Sequence, residues 1–522
     1  MSAAPVNPFT PAGLPAAPAP WADPASAASQ WRAQAHDPDS LQTLIAQCEA
    51  LLADTPPAGA LAPWINALWP AAFAAAEAAA SRHARKPLPL ADAELQRFRQ
   101  SRRLWTGLAL LCGQLATREN SPEHAALARQ RAANALRMAV FTHVLAGHAV
   151  PAVLDDLVLA CLDACGHCDQ LASAATDPLL PALGQGSPGG YLAWACLWRL
   201  IEPQRFNMLQ LNVLDRAFSR WRELARWQTG RGDDPKARVI DLSRLGSHPL
   251  PAGSPCWLDI RSLLRKLRQR SEALRQGELP EALKLGRELS ASACLRLLRD
   301  VELSLSGIRS ASATPDGPLS LVFGAEHAYA LICDQFLNPR KQPPEASRLA
   351  HQRLGLFGFD RVSRLPGEGQ TRRVEVPGET WQANAGLLYR EAAHTPVRHA
   401  AGSLIASTLA DGVRLGCLKG LEMREDGSLC GVAQWFAGPL RCAVLPRPPQ
   451  DVHSPRQAAF LIDDERQPQI VLPHTLAVRL GQPLTLDTSP PTQVVPLEVL
   501  ERGTDFVRYA LRPAPGDGKK HP

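Results

Sequence analysis

Residues 151–173 read PAVLDDLVLACLDACGHCDQLAS. Inside them, Cys165-Gly166-His167-Cys168 has the CxxC spacing of a redox-active dithiol. Such a dithiol belongs where a buried strand ends and a helix begins, because the helix N-terminus lowers the pKa of the first thiol. This one has no strand before it. Leu154, Leu157, Val158, Cys161, Leu162, Cys165, Cys168 and Leu171 recur at the three-four spacing of one helix face. Pro151 suits a first helical turn. The spacing predicts one helix through the motif, with Cys161, Cys165 and Cys168 on its buried side. The fold around it is then helical rather than a redox α/β domain. The same three thiols, with His143 or His148 near in sequence, are also a set that could hold zinc, although no second CxxC knuckle exists. A Cys-based metal or thiol protein therefore stays as an alternative.

Outward from this stretch the helical pattern continues. SLQTLIAQCEALLAD predicts a helix capped by Ser40, and two long amphipathic segments follow at 91–116 and 123–147. GGYLAWACLWRLI is almost wholly apolar and predicts a central helix, and 205–228 carries Phe206, Leu209, Val213, Phe218, Trp221 and Leu224 on one side. No fixed period links these segments, so they form an irregular helical array. Residues 229–255 are polar and rich in Gly and Pro, which predicts a linker. Gly277 and Pro280 then divide a helical hairpin. Its first helix is crowded by Arg261, Arg265, Lys266, Arg268, Arg270 and Arg275, read as a solvated face because no exposed aromatics alternate with them.

After Asp316 the period shortens. GPLSLVFG predicts a strand and AEHAYALICDQFL a helix. From Arg372 a succession of short β-like runs is punctuated by Gly, Pro and Asp. That spacing predicts an antiparallel barrel. The expected class is α+β multidomain, an N-terminal irregular all-α helical array followed by a C-terminal antiparallel β-barrel. The expected boundaries are a disordered Pro/Ala-rich arm at 1–30 and a helical domain at 31–228. A linker at 229–255 leads to a hairpin and connector at 256–345. The barrel domain spans 346–513 and a disordered tail 514–522.

The chain has 522 residues, enough for two to three cores, with 45% hydrophobic and 20% charged residues. Of its 56 basic residues only 8 are Lys, and the net charge of +6 is mild. It permits an anionic partner without demanding one, and nucleic acid is not the expected partner. The N-terminal stretch has neither a basic n-region nor an apolar h-region, and no charge-free run of about 18 apolar residues exists. Cytoplasm is the expected compartment. The twelve Cys sit mostly in apolar runs, as reduced buried thiols do. No nucleophile elbow, phosphate loop, zinc-protease helix or dinucleotide fingerprint occurs in context, so no catalytic residues and no cofactor are expected.

The segment FDRVSRLPGEGQTRRVEVPGETWQANAGLLYREA carries Arg361, Arg364, Arg372 and Arg373 just before the strand-rich region, and Asn384-Ala385-Gly386 on an early strand. In this respect the chain from about Leu354 to Arg512 resembles a degenerate PilZ-like domain. That resemblance implies a small β-barrel that binds cyclic di-GMP. Arginines would fork onto phosphates and stack on guanine, while Asn384 to Gly386 would line the ligand's edge, small residues there letting the strand approach closely. The whole chain would then be a cytoplasmic signalling adaptor, relaying the ligand to an unidentified protein partner through its helices. No two of the four arginines have the family's RxxxR spacing, and its serine is missing. A protein-interaction scaffold whose barrel has lost the ligand is accordingly the alternative.

Overall fold

The computed structural model describes residues 23–37, 39–54, 56–166, 168–232, 238–247, 250, 253–308, 314–338, 376–391, 397–446, 455–464, 467–488 and 491–512. They fall into two compact units, Met1–Ser310 with Glu422–Glu425, and Ala311–Leu421 with Asp426–Pro522. The first is helical and the second is built of antiparallel strands, as the change of period predicts.

The first unit opens with α1 (Pro24–Ala33), α2 (Ser40–Asp54), α3 (Ala58–His83), α4 (Asp92–Arg118) and α5 (Pro122–Ala146). The arm expected at 1–30 thus gives way to a helix by Pro24, because Ala27 and Trp31 are buried and Asp23 caps the helix through the Ala25 and Ser26 amides. Ser40 is the first residue of α2 rather than its cap, and its hydroxyl donates to the Ala35 carbonyl. α3 runs through Pro63 and Pro70. An interior proline costs about 3 kcal/mol, but Leu61, Ile65, Leu68 and Trp69 are completely buried, and each such side chain returns about 1.5–3 kcal/mol.

Next come α6 (Ala152–Cys165), α7 (Cys168–Ala172), a ribbon of β1 (Ala175–Thr176) with β2 (Gln185–Gly186), α8 (Pro188–Leu200) and α9 (Met208–Trp221). The expected single helix through the CxxC is therefore two. Gly166 takes φ 65°, a left-handed conformation that glycine adopts without steric cost, and the helix stops at Cys165. α8 is buried from Pro188 to Trp198, as its composition predicts. α5 is buried on nearly every side and packs between α4 and α8.

The expected linker is not one. β3 (Arg226–Gln228) and β4 (Val239–Asp241) both pair with β5 (Trp257–Asp259), and Leu242 and Leu258 join the same core as the helices. The alternation in ARVIDL and CWLDI outweighs the surrounding Gly and Pro. The hairpin is α10 (Arg261–Arg275) and α11 (Ala291–Leu305). The second helix starts after Ser290, whose hydroxyl accepts from the Ala293 amide, and Pro280 sits in the intervening turns. The arginine stripe of α10 is a solvated face with local ion pairs, such as Arg268 with Glu302 at 2.6 Å. One continuous apolar core runs from Ala27 to Leu305.

The second unit begins with β6 (Gly317–Phe323) and α12 (Ala325–Cys333), then β7 (Glu379–Asn384), β8 (Leu387–Arg390), β9 (Leu404–Leu409), β10 (Gly412–Met423) and β11 (Leu429–Trp435). The strands close a six-stranded barrel in the order β10-β11-β8-β7-β6-β9. β6 pairs with β7 and β9, so the barrel takes in residues that sequence placed in the connector. A five-stranded sheet follows, ordered β12 (Leu440–Leu445), β13 (Gln457–Ile462), β14 (Gln469–Pro473), β18 (Phe506–Leu511) and β17 (Pro496–Arg502). β15 (Leu484–Leu486) and β16 (Thr492–Val494) form a small ribbon. The strand-rich region is therefore a barrel plus a sheet, because alternation predicts strands without saying which of them close on each other.

Candidate functional site

Arg361, Arg364, Arg372 and Arg373 lie outside the described residues. Asn384 and Gly386 lie within them. Asn384 ends β7 and pairs with Leu387 across a two-residue turn. Ala385 at φ 49° and Gly386 at φ 78° give that turn its two left-handed residues, the requirement of a type I′ hairpin. The strain at Ala385 is held by its amide, which donates to Asp316 Oδ1 at 2.8 Å. Asn384 is exposed. Polar chemistry in the barrel is concentrated at other residues. Glu379 accepts from Arg390 Nη1 at 2.8 Å and contacts His399 Nε2 at 2.9 Å, while His399 stacks on Phe323 at 3.8 Å. Burial lowers the His399 pKa against the pull of Glu379.

The three cysteines flank a helix break. Cys161 and Cys168 are half-buried and Cys165 is buried. The neighbouring Cys165 thiol and burial raise Cys161 well above the usual thiol range, while the Cys161 thiol lowers Cys165. Among the described residues, no three His, Cys, Asp or Glu side chains gather closely enough to share a metal ion.

A cavity of about 1170 Å³ lies in the helical unit. Its walls come from α3, α4, α5, α8, α9 and residues 182–185. Phe73, Trp105, Phe141 and Trp194 supply aromatic surface, while Arg137, Asp215, Arg216, Arg220 and Arg222 supply charge. Phe73 and Trp105 meet edge-on at 4.8 Å.

Arg137 comes from the buried run AANALRMAVF of α5. Its side chain is 3% exposed, and its guanidinium carbon lies 3.9 Å from the centre of the Trp194 ring. Nη2 donates to Asn134 Oδ1 at 3.0 Å. Nη1 lies 3.9 Å from Asp215 Oδ1, beyond hydrogen-bond distance. Among the described residues, Nε of Arg137 and Oδ1 of Asp215 have no hydrogen-bond partner. Burial raises the Asp215 pKa to about 6, with Arg137 and Arg216 pulling the other way.

The rim of the cavity is firmly tied. Arg222 stacks over Tyr191 at 4.8 Å and donates to the carbonyls of Leu183 and Gln185 at 2.9 and 2.7 Å. Glu223 accepts from the Ser187 amide at 3.0 Å and hydroxyl at 2.7 Å, at the start of α8. A Cβ at Gly190 would displace the Glu223 carboxylate from these bonds. Arg216 is clamped by both oxygens of Glu288 at 2.6 Å.

Sequence reading missed this cavity. Its signal was present: AANALRMAVFTHVLA has no polar face on which a solvated arginine could sit. Arg137 was thus bound to be buried, and a buried guanidinium needs partners.

The described residues make a multidomain α+β protein, with a charged aromatic cavity in its helical unit and a barrel and a sheet in the other. Residues 26–233, which run from α1 past β3 and include every residue that lines the cavity, are similar to the family described as "Cyclic-di-GMP receptor FimW, N-terminal domain". No curated protein and no solved structure matches the chain. Among the described residues, no helix is long and apolar enough to cross a membrane.

Proposed function

We propose that this chain is a signalling protein that responds to cyclic di-GMP and passes the response to a protein partner, with binding rather than catalysis as its activity. The observation that carries this reading is the similarity of residues 26–233 to the N-terminal domain of a cyclic-di-GMP receptor. The arginines Arg361, Arg364, Arg372 and Arg373 add support, since guanidinium forks suit both phosphate and guanine. Asn384 and Gly386 complete the candidate set at the barrel. Cytoplasmic residence goes with this reading, because the messenger is intracellular.

Titration calorimetry of cyclic di-GMP into the full chain tests it. Saturable binding is expected, and replacing the four arginines by Ala should weaken it. No heat at about 100 μM ligand, where even −5.5 kcal/mol would register, overturns it. A ligand-free scaffold is the second reading. It is favoured by the hairpin turn, which accounts for Asn384-Ala385-Gly386 without any ligand.

A further inference from the structure

We propose that the helical cavity is itself a guanine-nucleotide site, in which Asp215 and Arg137 together read the base edge. The inference rests on the proposed function only for which guanine nucleotide is bound.

Two ion pairs of the same helix frame the argument. Arg131 and Asp177 meet as a closed fork, with both bonds at 2.8 Å and side chains 5% and 6% exposed. That is what a buried guanidinium and carboxylate ordinarily do. Arg137 and Asp215 stand apart at 3.9 Å at the wall of the cavity, with side chains 3% and 27% exposed, and Nε of Arg137 and Oδ1 of Asp215 have no hydrogen-bond partner among the described residues. Native proteins rarely leave such groups unmade without a reason. A ligand that bonds to both supplies one.

The ligand must offer acceptors to a guanidinium and adjacent donors to a carboxylate. Guanine does so on one ring: O6 and N7 accept, while N1–H and the 2-amino group donate. Adenine presents an amino group at position 6 and no N1–H, so Asp215 would face an acceptor. Phe73, which is half-buried, supplies aromatic surface against which a base packs, and the fully buried Trp105 meets it edge-on at 4.8 Å. Arg220 is exposed at the rim, where phosphate would leave the cavity. The volume of about 1170 Å³ exceeds the range of about 300–1,000 Å³ that holds ordinary drug-sized ligands, so a nucleotide larger than a single base fits.

The test uses the full chain, with calorimetry of cyclic di-GMP, GTP, ATP and XTP against wild type, Asp215→Asn and Arg220→Gln. Circular dichroism and a denaturation curve confirm that each variant folds. The expected result is that cyclic di-GMP or GTP binds and ATP binds at least tenfold more weakly. Asp215→Asn should weaken the guanine ligand about 10- to 100-fold, the loss of a charged hydrogen bond. It should also improve XTP, whose 2-oxo group accepts from the new amide. Arg220→Gln, a rim change that leaves the core intact, should weaken binding by about threefold to tenfold. Guanine ligands that bind Asp215→Asn as tightly as wild type overturn the inference. If cyclic di-GMP binding is lost on replacing Arg361, Arg364, Arg372 and Arg373 but unmoved by Asp215→Asn, the proposed function stands and this site falls. GTP binding removed by Asp215→Asn, without any response to cyclic di-GMP, leaves this site standing and overturns the proposed function. Failure of every guanine nucleotide to bind overturns both.

Discussion

Helix α5 carries two buried arginines six residues apart, and they behave differently. Arg131 is saturated: Asp177 takes Nε and Nη2, Asn66 takes Nη1 at 2.7 Å, and Trp69 lies below at 5.8 Å. Arg137 has a closer aromatic partner in Trp194 and one bond to Asn134, but its carboxylate is held at a distance. The first arrangement ties α5 to α3 and to the stretch after β1. The second spends its charge at a cavity wall. The difference teaches that residue type and burial do not distinguish a structural arginine from a binding one. Whether its hydrogen bonds are closed within the protein does.

The sharpest way to break this comparison is Asp177→Ala. It strands a buried guanidinium, so the helical unit should lose about 3–5 kcal/mol in denaturant unfolding followed by far-UV circular dichroism. A loss below about 1 kcal/mol would make Arg131 no more structural than Arg137.

Acid should destabilise the same unit. His83, His143 and His148 gather around Phe98, with ring centres within 6.2 Å of it. Burial lowers their pKa values to about 4, 3 and 4, with Arg102 adding to the effect at His143 and His148. The folded state therefore binds fewer protons than the unfolded chain below about pH 6.5, and stability is lost as pH falls from there. Asp155 and Asp215 oppose this between about pH 4 and 6, because burial raises both to about 6 and the folded state then holds the extra protons. Glu422, which belongs to the helical unit, is likewise raised by burial and also opposes it, but the three imidazoles are shifted further, from 6.5 to about 4, 3 and 4, so the net trend is downward on acidification. Unfolding midpoints measured from pH 7.5 to 4.5 check it, and a flat or rising trend would refute it.

Gly190→Ala should cost about 1–3 kcal/mol, since the new methyl pushes the Glu223 carboxylate off its two bonds to Ser187. Relief by Glu223→Ala in the double variant would show that this contact is the cause.

The smallest effect belongs to Asp215→Asn. Removing a charge that burial already disfavours should change stability by no more than about 1 kcal/mol, in either direction. Set beside Asp177→Ala, that small number would sharpen the contrast between a structural and a binding ion pair. A loss comparable to that of Asp177→Ala would abolish it.

Much of the architecture could be read from residue spacing. The strands from β7 to β18 fall on the runs that alternation predicts, α4, α5 and α9 fall on the amphipathic segments, and α8 falls on the almost wholly apolar one. Breaks were harder. Gly166 splits a periodic stretch because a left-handed residue ends a helix without disturbing the apolar pattern on either side. Pro63 and Pro70 fail to split one because burial outweighs their cost. The site was least legible. Arg137 and Asp215 stand 78 positions apart and carry no shared motif.

Sequence by itself determined the two kinds of secondary structure and the point at which one replaces the other. These follow from side-chain periodicity, a local property. Only the tertiary structure decided which strands close the barrel, that β3, β4 and β5 return to the helical core as a sheet, and that Asp177 reaches its arginine while Asp215 does not. Those outcomes depend on distances across the fold, set by packing of whole helices and strands, and a difference of about 1 Å between two carboxylates leaves no trace in the order of residues.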